Sequence, residues 1–199
     1  MVKQLLFATS NEHKLSEVKK IVASELIEVI SLKDISWNSE IEENGESLEE
    51  NALIKARTIF EACHSNVFSE DTGLEVFSLN MAPGVHTARY ASEKSDPQAN
   101  MDKLLLALED KNDRSARFRT VIALIWEDCE YLFEGIVKGN IGYERKGSGG
   151  FGYDPIFIPE GHTETFAELD EKIKNTISHR YVAMTKMNSF LKRFNKKET

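Results

Sequence analysis

The stretch Leu5-Leu6-Phe7-Ala8-Thr9-Ser10-Asn11-Glu12-His13-Lys14 is where the fold is read first. Four apolar residues in a row suit a buried strand. Thr9, Ser10 and Asn11 are all side-chain types that accept from the first N–H groups of a helix. Leu15, Val18, Ile21 and Val22 then recur at helical spacing and give that helix one apolar face. A strand that turns directly into a helix is the economical reading. The helix N-terminus offers N–H groups and a partial positive charge, which suit phosphate. Lys14 sits in the first turn, where a cation opposes the helix dipole by up to about 1 kcal/mol. It reads either as a solvated surface lysine or as an ammonium placed for an anion. The glycines of a Walker P-loop are missing.

Working outward, 199 residues are enough to bury a full core, as one large domain or two small lobes. With 41% apolar and 29% charged residues and only 4 Pro, the chain is globular and not disordered. A net charge of −8 argues against general nucleic-acid binding, yet permits an anionic ligand in a local pocket of Lys and Arg. Cys63 and Cys129 lie far apart without metal-ligand spacing and read as reduced cysteines. Met1-Val2-Lys3-Gln4 leads straight into the first strand, with no signal-peptide pattern and no apolar span of membrane length. That points to the cytoplasm.

Residues 27–32 form a second strand candidate. The acidic stretch Glu40-Ile41-Glu42-Glu43-Asn44-Gly45-Glu46 reads as a solvated loop or as a source of carboxylates for Mg2+. Ser47 with Glu50 makes a capping box for a helix that carries Lys55. Residues 66–73 read as a strand ending in Glu70, Asp71 and a turn. Acids at such strand ends are common catalytic groups, while Asp71-Thr72-Gly73 is equally a plain Asx-turn. Residues 74–79 continue as a strand, Arg89 is a surface ion-pair partner or a phosphate ligand, and Asp96-Pro97 opens another helix. Residues 116–126 and 131–137 are strands joined by the acidic turn Glu127-Asp128, and 135–142 carry the sheet across a bend.

The run Lys146-Gly147-Ser148-Gly149-Gly150-Phe151-Gly152-Tyr153-Asp154-Pro155 is a flexible loop on its glycines alone. Phe151, whose face a flat ring can stack on, and Asp154 turn it toward a ligand-facing loop. Ser178-His179-Arg180 place a donor and two cations at the start of a terminal helix with Ile177, Met184, Met187 and Leu191 on its apolar side. His179 taken alone reads more readily as a structural histidine. The basic tail, 192–197, reads as frayed.

Together these segments resemble the inosine triphosphate pyrophosphatase family, the noncanonical purine nucleoside triphosphatases of the Ham1 type. The likeness rests on Thr9, Asn11 and Lys14; on Glu50-Asn51-Ala52 with Lys55; and on Glu70-Asp71-Thr72-Gly73-Leu74. It continues through Pro83-Gly84 with Ala88-Arg89-Tyr90, Gly149 to Pro155, and Lys174-Asn175 with Ser178-His179-Arg180. Many bacterial members have two aspartates and a serine at 70–72; here a carboxylate and a hydroxyl are kept. The resemblance implies a single α/β domain over 1–199, with an elongated mixed β-sheet and flanking helices forming two lobes around a central cleft, usually in a homodimer. It implies Mg2+-dependent hydrolysis of ITP, dITP and XTP to the monophosphate and pyrophosphate, with neither nucleic acid nor membrane as partner. By motif position, Thr9, Ser10, Asn11, Glu12, His13, Lys14 and Lys55 bind the triphosphate, and Thr72 is a further substrate-binding residue. Glu42 and Asp71 hold magnesium, Glu43 being the alternative to Glu42, and Asp71 is also the catalytic proton acceptor. Phe151, Gly152, Tyr153, Asp154, Lys174, His179 and Arg180 surround the base.

The residue chemistry is consistent with that allocation. Each phosphate brings roughly −1.5 to −2 charges, so a triphosphate needs concentrated cations within an acidic chain. A free Asp titrates near about 3.9 and is a poor base for bulk water, which favours a metal beside it. No Ser, Cys or His arrangement suggests a covalent intermediate, so water attacks the α-phosphorus directly. Donors aimed at the 6-oxo group of hypoxanthine or xanthine reject adenine; Arg180, His179 and loop amides are the candidates. Two other readings use the same residues: a nucleotide sensor that does not cleave, and a pyrophosphatase for modified pyrimidine or ordinary deoxynucleotides.

Overall fold

The computed structural model describes residues 3–22 and 27–195. Met1 and Val2 of the lead-in, and Lys196 and Lys197 of the basic tail, lie outside the described residues. Strand β1, Lys3–Phe7, is followed by helix α1, Glu12–Ile21, as the opening stretch predicts. Asn11 is the N-cap: its side chain accepts from the Lys14 N–H at 3.2 Å, and Thr9 Oγ1 accepts from the Asn11 N–H at 3.2 Å. Strand β2, Ile27–Ser31, pairs parallel to β1 with Phe7 opposite Ser31. The other edge of β1 pairs, again parallel, with β3, Val67–Val76, so that Phe7 meets Phe68 and their rings stack at 4.4 Å. β1 stops there while β3 runs on. Glu70 and Asp71 therefore stand just beyond the C-terminal end of the parallel pair, where open α/β sheets commonly carry their sites.

The remaining elements are α2, Leu48–Cys63; β4, Pro83–Gly84; α3, Pro97–Ala107; β5, Ser115–Trp126; β6, Cys129–Ile141; β7, Phe157–Pro159; α4, Glu171–Ile177; and α5, His179–Asn195. The strand order is β2-β1-β3-β5-β6-β7, with β4 on β3. β4 on β3 and β7 on β6 are antiparallel, so the sheet is mixed. β5 and β6 are joined by Glu127-Asp128, both at positive φ (51° and 62°), the two-residue geometry of a hairpin turn. No helix among the described residues is long and apolar enough to cross a membrane.

Four expected boundaries are corrected. β3 passes through 71–73 without a turn, because nine of its ten residues are buried and ladder pairing overrides the local Asx preference. β6 is one strand of 13 residues and not two segments. Ser178, buried and extended at φ −66° and ψ 152°, ends α4 and starts α5, so Ile177 belongs to a separate helix. α5 itself continues to Asn195, through residues that the sequence reads as frayed.

The described residues pack as two compact units. The first takes the chain to 71 with 120–135 and 180 onward; the second takes 72–119 and 136–179. Both are assembled from separated segments, so no linker or composition break marks them. The first has a core of Leu5, Phe7, Val18, Phe68, Trp126 and Met184. The second is centred on Leu74, Leu104, Phe118, Tyr153, Phe157 and Phe166.

Within the first unit α2 is fixed at its N-terminus by the capping box. Ser47 Oγ accepts from the Glu50 N–H and the Glu50 carboxylate accepts from the Ser47 N–H, each at 3.2 Å. Further along, the Ser69 hydroxyl of β3 donates to the Ala52 carbonyl. The cap holds the helix that carries Lys55. Ser47→Ala is expected to cost about 1 kcal/mol, read as a lower urea midpoint at unchanged slope; an unmoved midpoint refutes the cap's contribution.

Candidate active site

The first unit concentrates its buried charge at the end of the β1–β3 pair. Glu70 has a side chain with no exposure at all, and Arg180 is 2% exposed. Arg180 Nε donates to Glu70 Oε1 and Oε2 at 3.0 and 2.9 Å, its Nη2 donates to Oε1 at 2.8 Å, and its Nη1 donates to Glu17. Lys14 Nζ approaches Glu70 Oε1 at 3.2 Å. Lys14 and Glu17, three residues apart, share a face of α1. The result is a line of alternating charge, Glu17–Arg180–Glu70–Lys14. Burial pushes the Glu70 carboxyl up, but the charges of Arg180 and Lys14 outweigh it and hold the group at about 2.

A second line shares Lys14's field. Lys55 Nζ donates to Glu43 Oε2 at 2.6 Å and to Asp71 Oδ1 at 2.9 Å, with Lys55 and Asp71 both buried. Burial lowers the ammonium of Lys55, yet Asp71 and Glu43 outweigh it and raise the group. The two carboxyls diverge. Burial raises Asp71 from its ordinary value against the pull of Lys55. Burial also pushes Glu43 up, but there Lys55's charge and hydrogen bond prevail and lower it. Paired acids driven apart in this way are suited to different tasks, one fixed as an anion and one the better proton acceptor.

Not every expected site residue joins these two lines of charge. Glu42 is exposed, and the acid brought to Lys55 and Asp71 is its neighbour Glu43. Ser10, Glu12 and His13 are exposed around the start of α1, where Glu12 pairs with Lys33. Thr9 and Asn11 cap that start, and Thr72 is half-buried in β3. Arg180 departs most from its expected role as a donor to the base: its guanidinium is buried on Glu70 and Glu17, because a wholly buried carboxylate needs a counter-charge. Glu17 was not singled out by sequence; the signal for it was its spacing of three from Lys14.

In the second unit a separate cluster collects the remaining candidates. Lys174 Nζ donates to Asp154 Oδ2 at 2.6 Å and lies 5.3 Å from the centre of the Phe151 ring. The Phe151 N–H donates to the same Oδ2 at 2.7 Å. Gly150 takes φ +71°, and a Cβ there would fall 2.1 Å from that oxygen, so glycine is what lets Asp154 tuck under the loop. Beyond it, Gly152 also has positive φ, 63°. Tyr153 is buried, with its hydroxyl donating to the Thr87 carbonyl at 2.9 Å, and burial raises it further above the phenol range. His179 is buried and stacks on Phe118 at 4.8 Å.

The first unit's carboxylates suit a hard divalent ion. No group of three or more His, Cys, Asp or Glu is placed for a metal among the described residues, but Mg2+ typically takes one or two carboxylates and completes its shell with phosphate and water. Glu43 and Asp71 already share one cation, the Lys55 ammonium, and such a pair fits that donor set.

The chain is thus a mixed α/β protein whose first unit sets Lys14 and a buried Lys55 against the acids at 43, 70 and 71. Comparison with known proteins narrows this. The family model described as Ham1 family matches residues 5–190, and the chain belongs to that family. It is 48% identical to the dITP/XTP pyrophosphatase of Porphyromonas gingivalis, over 96% of this chain and 98% of the relative. It is 46% identical to the dITP/XTP pyrophosphatase of Christiangramia forsetii, over 94% and 98%. The solved structure of a HAM1 protein from Coxiella burnetii matches with a TM-score of 0.90 at 37% identity, covering 97% of this chain and all of that one.

Two outcomes follow from the buried line of charge. Arg180→Met strands Glu70 and is expected to cost about 3–5 kcal/mol in urea unfolding. Adding Glu70→Gln should restore part of it, and a cost below about 1 kcal/mol, that of an exposed pair, would contradict the role. Because folding lowers Glu70 from 4.5 to about 2, its contribution is complete above pH 4.5 and lost as pH falls toward 2. Stability measured across that window should fall more steeply for the native chain than for Glu70→Gln; equal slopes would contradict it.

Proposed function

We propose that this chain is a nucleoside-triphosphate pyrophosphohydrolase that converts dITP, ITP and XTP to the monophosphate and pyrophosphate. Support comes from its curated relatives, named dITP/XTP pyrophosphatase at 48% and 46% identity over nearly whole chains. The single observation that carries the mechanism is Lys55 held on Glu43 and Asp71, with Lys14 close enough for its charge to act on both carboxyls.

In this reading Lys14, Lys55 and the first-turn N–H groups of α1 hold the triphosphate. Asp71, raised by burial, accepts the proton of a water whose oxygen attacks the α-phosphorus. The bond from that phosphorus to the bridging oxygen breaks, and the oxygen leaves with pyrophosphate. Glu43 replaces Glu42 as the second carboxylate for Mg2+, which when bound would offset phosphate charge and lower the pKa of coordinated water. Glu70, Arg180 and Glu17 position Lys14. The family likeness assigns the base to Phe151, Gly152, Tyr153, Asp154, Lys174 and His179, a 6-oxo group being the acceptor that donors there would read. Assembly as a homodimer and residence in the cytoplasm rest on the family likeness and on the sequence.

The test is a panel of purine and pyrimidine triphosphates with Mg2+, measuring pyrophosphate against phosphate. Pyrophosphate from dITP and XTP above all others is expected; binding without cleavage, or a pyrimidine as best substrate, would overturn the reading. Asp71→Asn should remain folded and lose about 10²-fold to 10⁴-fold in turnover, the range for a lost general base. A near-native rate would remove Asp71 from the chemistry.

A further inference from the structure

Lys55 occupies an unusual position for a residue assigned to phosphate. Its ammonium is inside the first unit, 2.6 Å from Glu43 Oε2 and 2.9 Å from Asp71 Oδ1, the same two carboxylates that suit a divalent cation. The three groups sit on supports of different stiffness. Asp71 is in the middle of β3, and Lys55 reaches from α2 on a flexible four-carbon stem. Glu43 lies on the irregular segment before α2, which is tied to the start of that helix by the Gly45 N–H on Asn51 Oδ1 at 2.8 Å and the Glu46 N–H on Glu50 Oε2 at 2.7 Å. The cation is thus the most movable member of the trio.

We propose that Lys55 is an exchangeable counter-ion. Its ammonium fills the place between Glu43 and Asp71 until a divalent cation takes those carboxylates, and the released side chain then turns to the phosphates of the triphosphate. This deepens the functional reading above and rests on it. One positive charge leaves the two carboxylates with an excess negative charge, which a divalent ion cancels; an ammonium and a dication on the same oxygens repel each other. Lys14 is not built for exchange of this kind. Its partner Glu70 is already neutralised by Arg180, so Lys14 can shift toward an anion without any replacement. Withdrawing Lys55 leaves a buried Asp71 facing the partly exposed Glu43 with no cation between them, so it departs as the metal arrives. Metal binding therefore precedes or accompanies phosphate capture, and each strengthens the other.

The first experiment uses the native chain. Acetylation of lysines by an N-hydroxysuccinimide ester, followed by mass spectrometry, reports Lys55 relative to exposed Lys33 with and without Mg2+. Lys55 modification is expected to rise about fivefold or more on adding Mg2+, the lower end of typical site-to-site coupling. An unchanged or reduced level overturns the exchange. The second experiment titrates Mn2+ by electron paramagnetic resonance into the nucleotide-free native chain and Lys55→Gln. The variant should bind Mn2+ about fivefold or more tightly, and the Mn2+-induced gain in tripolyphosphate affinity should shrink by a similar factor. Equal Mn2+ affinity, or an undiminished gain, refutes it. If Lys55→Gln fails to fold, the acetylation result on the native chain still decides. Pyrophosphate release from dITP, measured on the same native sample, separates the two ideas. Release with Lys55 labelling unmoved sinks the exchange alone, whereas labelling that rises with Mg2+ but no release from any triphosphate sinks the functional reading alone.

Discussion

A carboxylate with no contact to water must be compensated, and at Glu70 that requirement organises the first unit. Three hydrogen bonds from Arg180 satisfy it from α5, and Lys14 adds a charge from α1. Arg180 is itself wholly buried and needs a second anion, which Glu17 supplies from the same face of α1 that bears Lys14. The two helices and β3 are thereby joined through ions whose signs alternate. Removing Arg180 or Glu70 leaves the other without its main counter-charge in a medium of low dielectric, where an unpaired ion is strongly unfavourable.

The same alternation explains how an acidic chain can present cations to an anionic ligand. The net charge is −8, yet both lysines of the site are held in place by carboxylates. Lys55 is raised by Asp71 and Glu43 despite its burial. Holding the ammonium groups in position before a ligand arrives removes side-chain entropy that binding would otherwise have to overcome. In the proposed function the carboxylates are thus part of what readies the lysines for an anion.

Local signals in the sequence were legible and distant ones were not. Asn11, Ser47 and Asp96 cap their helices as their side chains and spacing predict, because a cap involves residues within a few positions of each other. The hairpin at Glu127-Asp128 was visible for the same reason. The end of β3 was misplaced because Asp71-Thr72-Gly73 has the composition of a turn, and only neighbouring strands decide that it stays extended. Glu42 and Glu43 are indistinguishable by type, and their difference is set by which one faces Lys55, twelve residues on. Arg180 and Glu70 lie 110 residues apart. Nothing local in Ser178-His179-Arg180 separates a donor for a ligand from a buried counter-ion.

Adjacent residues doing different work is a consequence of backbone geometry. Successive side chains on a strand point to opposite faces, so Glu70 is turned to Arg180 and Lys14 while Asp71 is turned to Lys55 and Glu43. Successive residues on a helix point about a quarter-turn apart, so His179 packs on Phe118 while Arg180 reaches Glu70. A short acidic motif at 70–71 therefore serves two networks of opposite chemical character. One acid is locked as an anion at about 2 and takes no proton near neutrality. The other is raised by burial and retains proton affinity. In the proposed reaction the fixed anion positions Lys14 and its neighbour is the acid assigned to accept a proton, and one β-strand achieves that separation between consecutive residues.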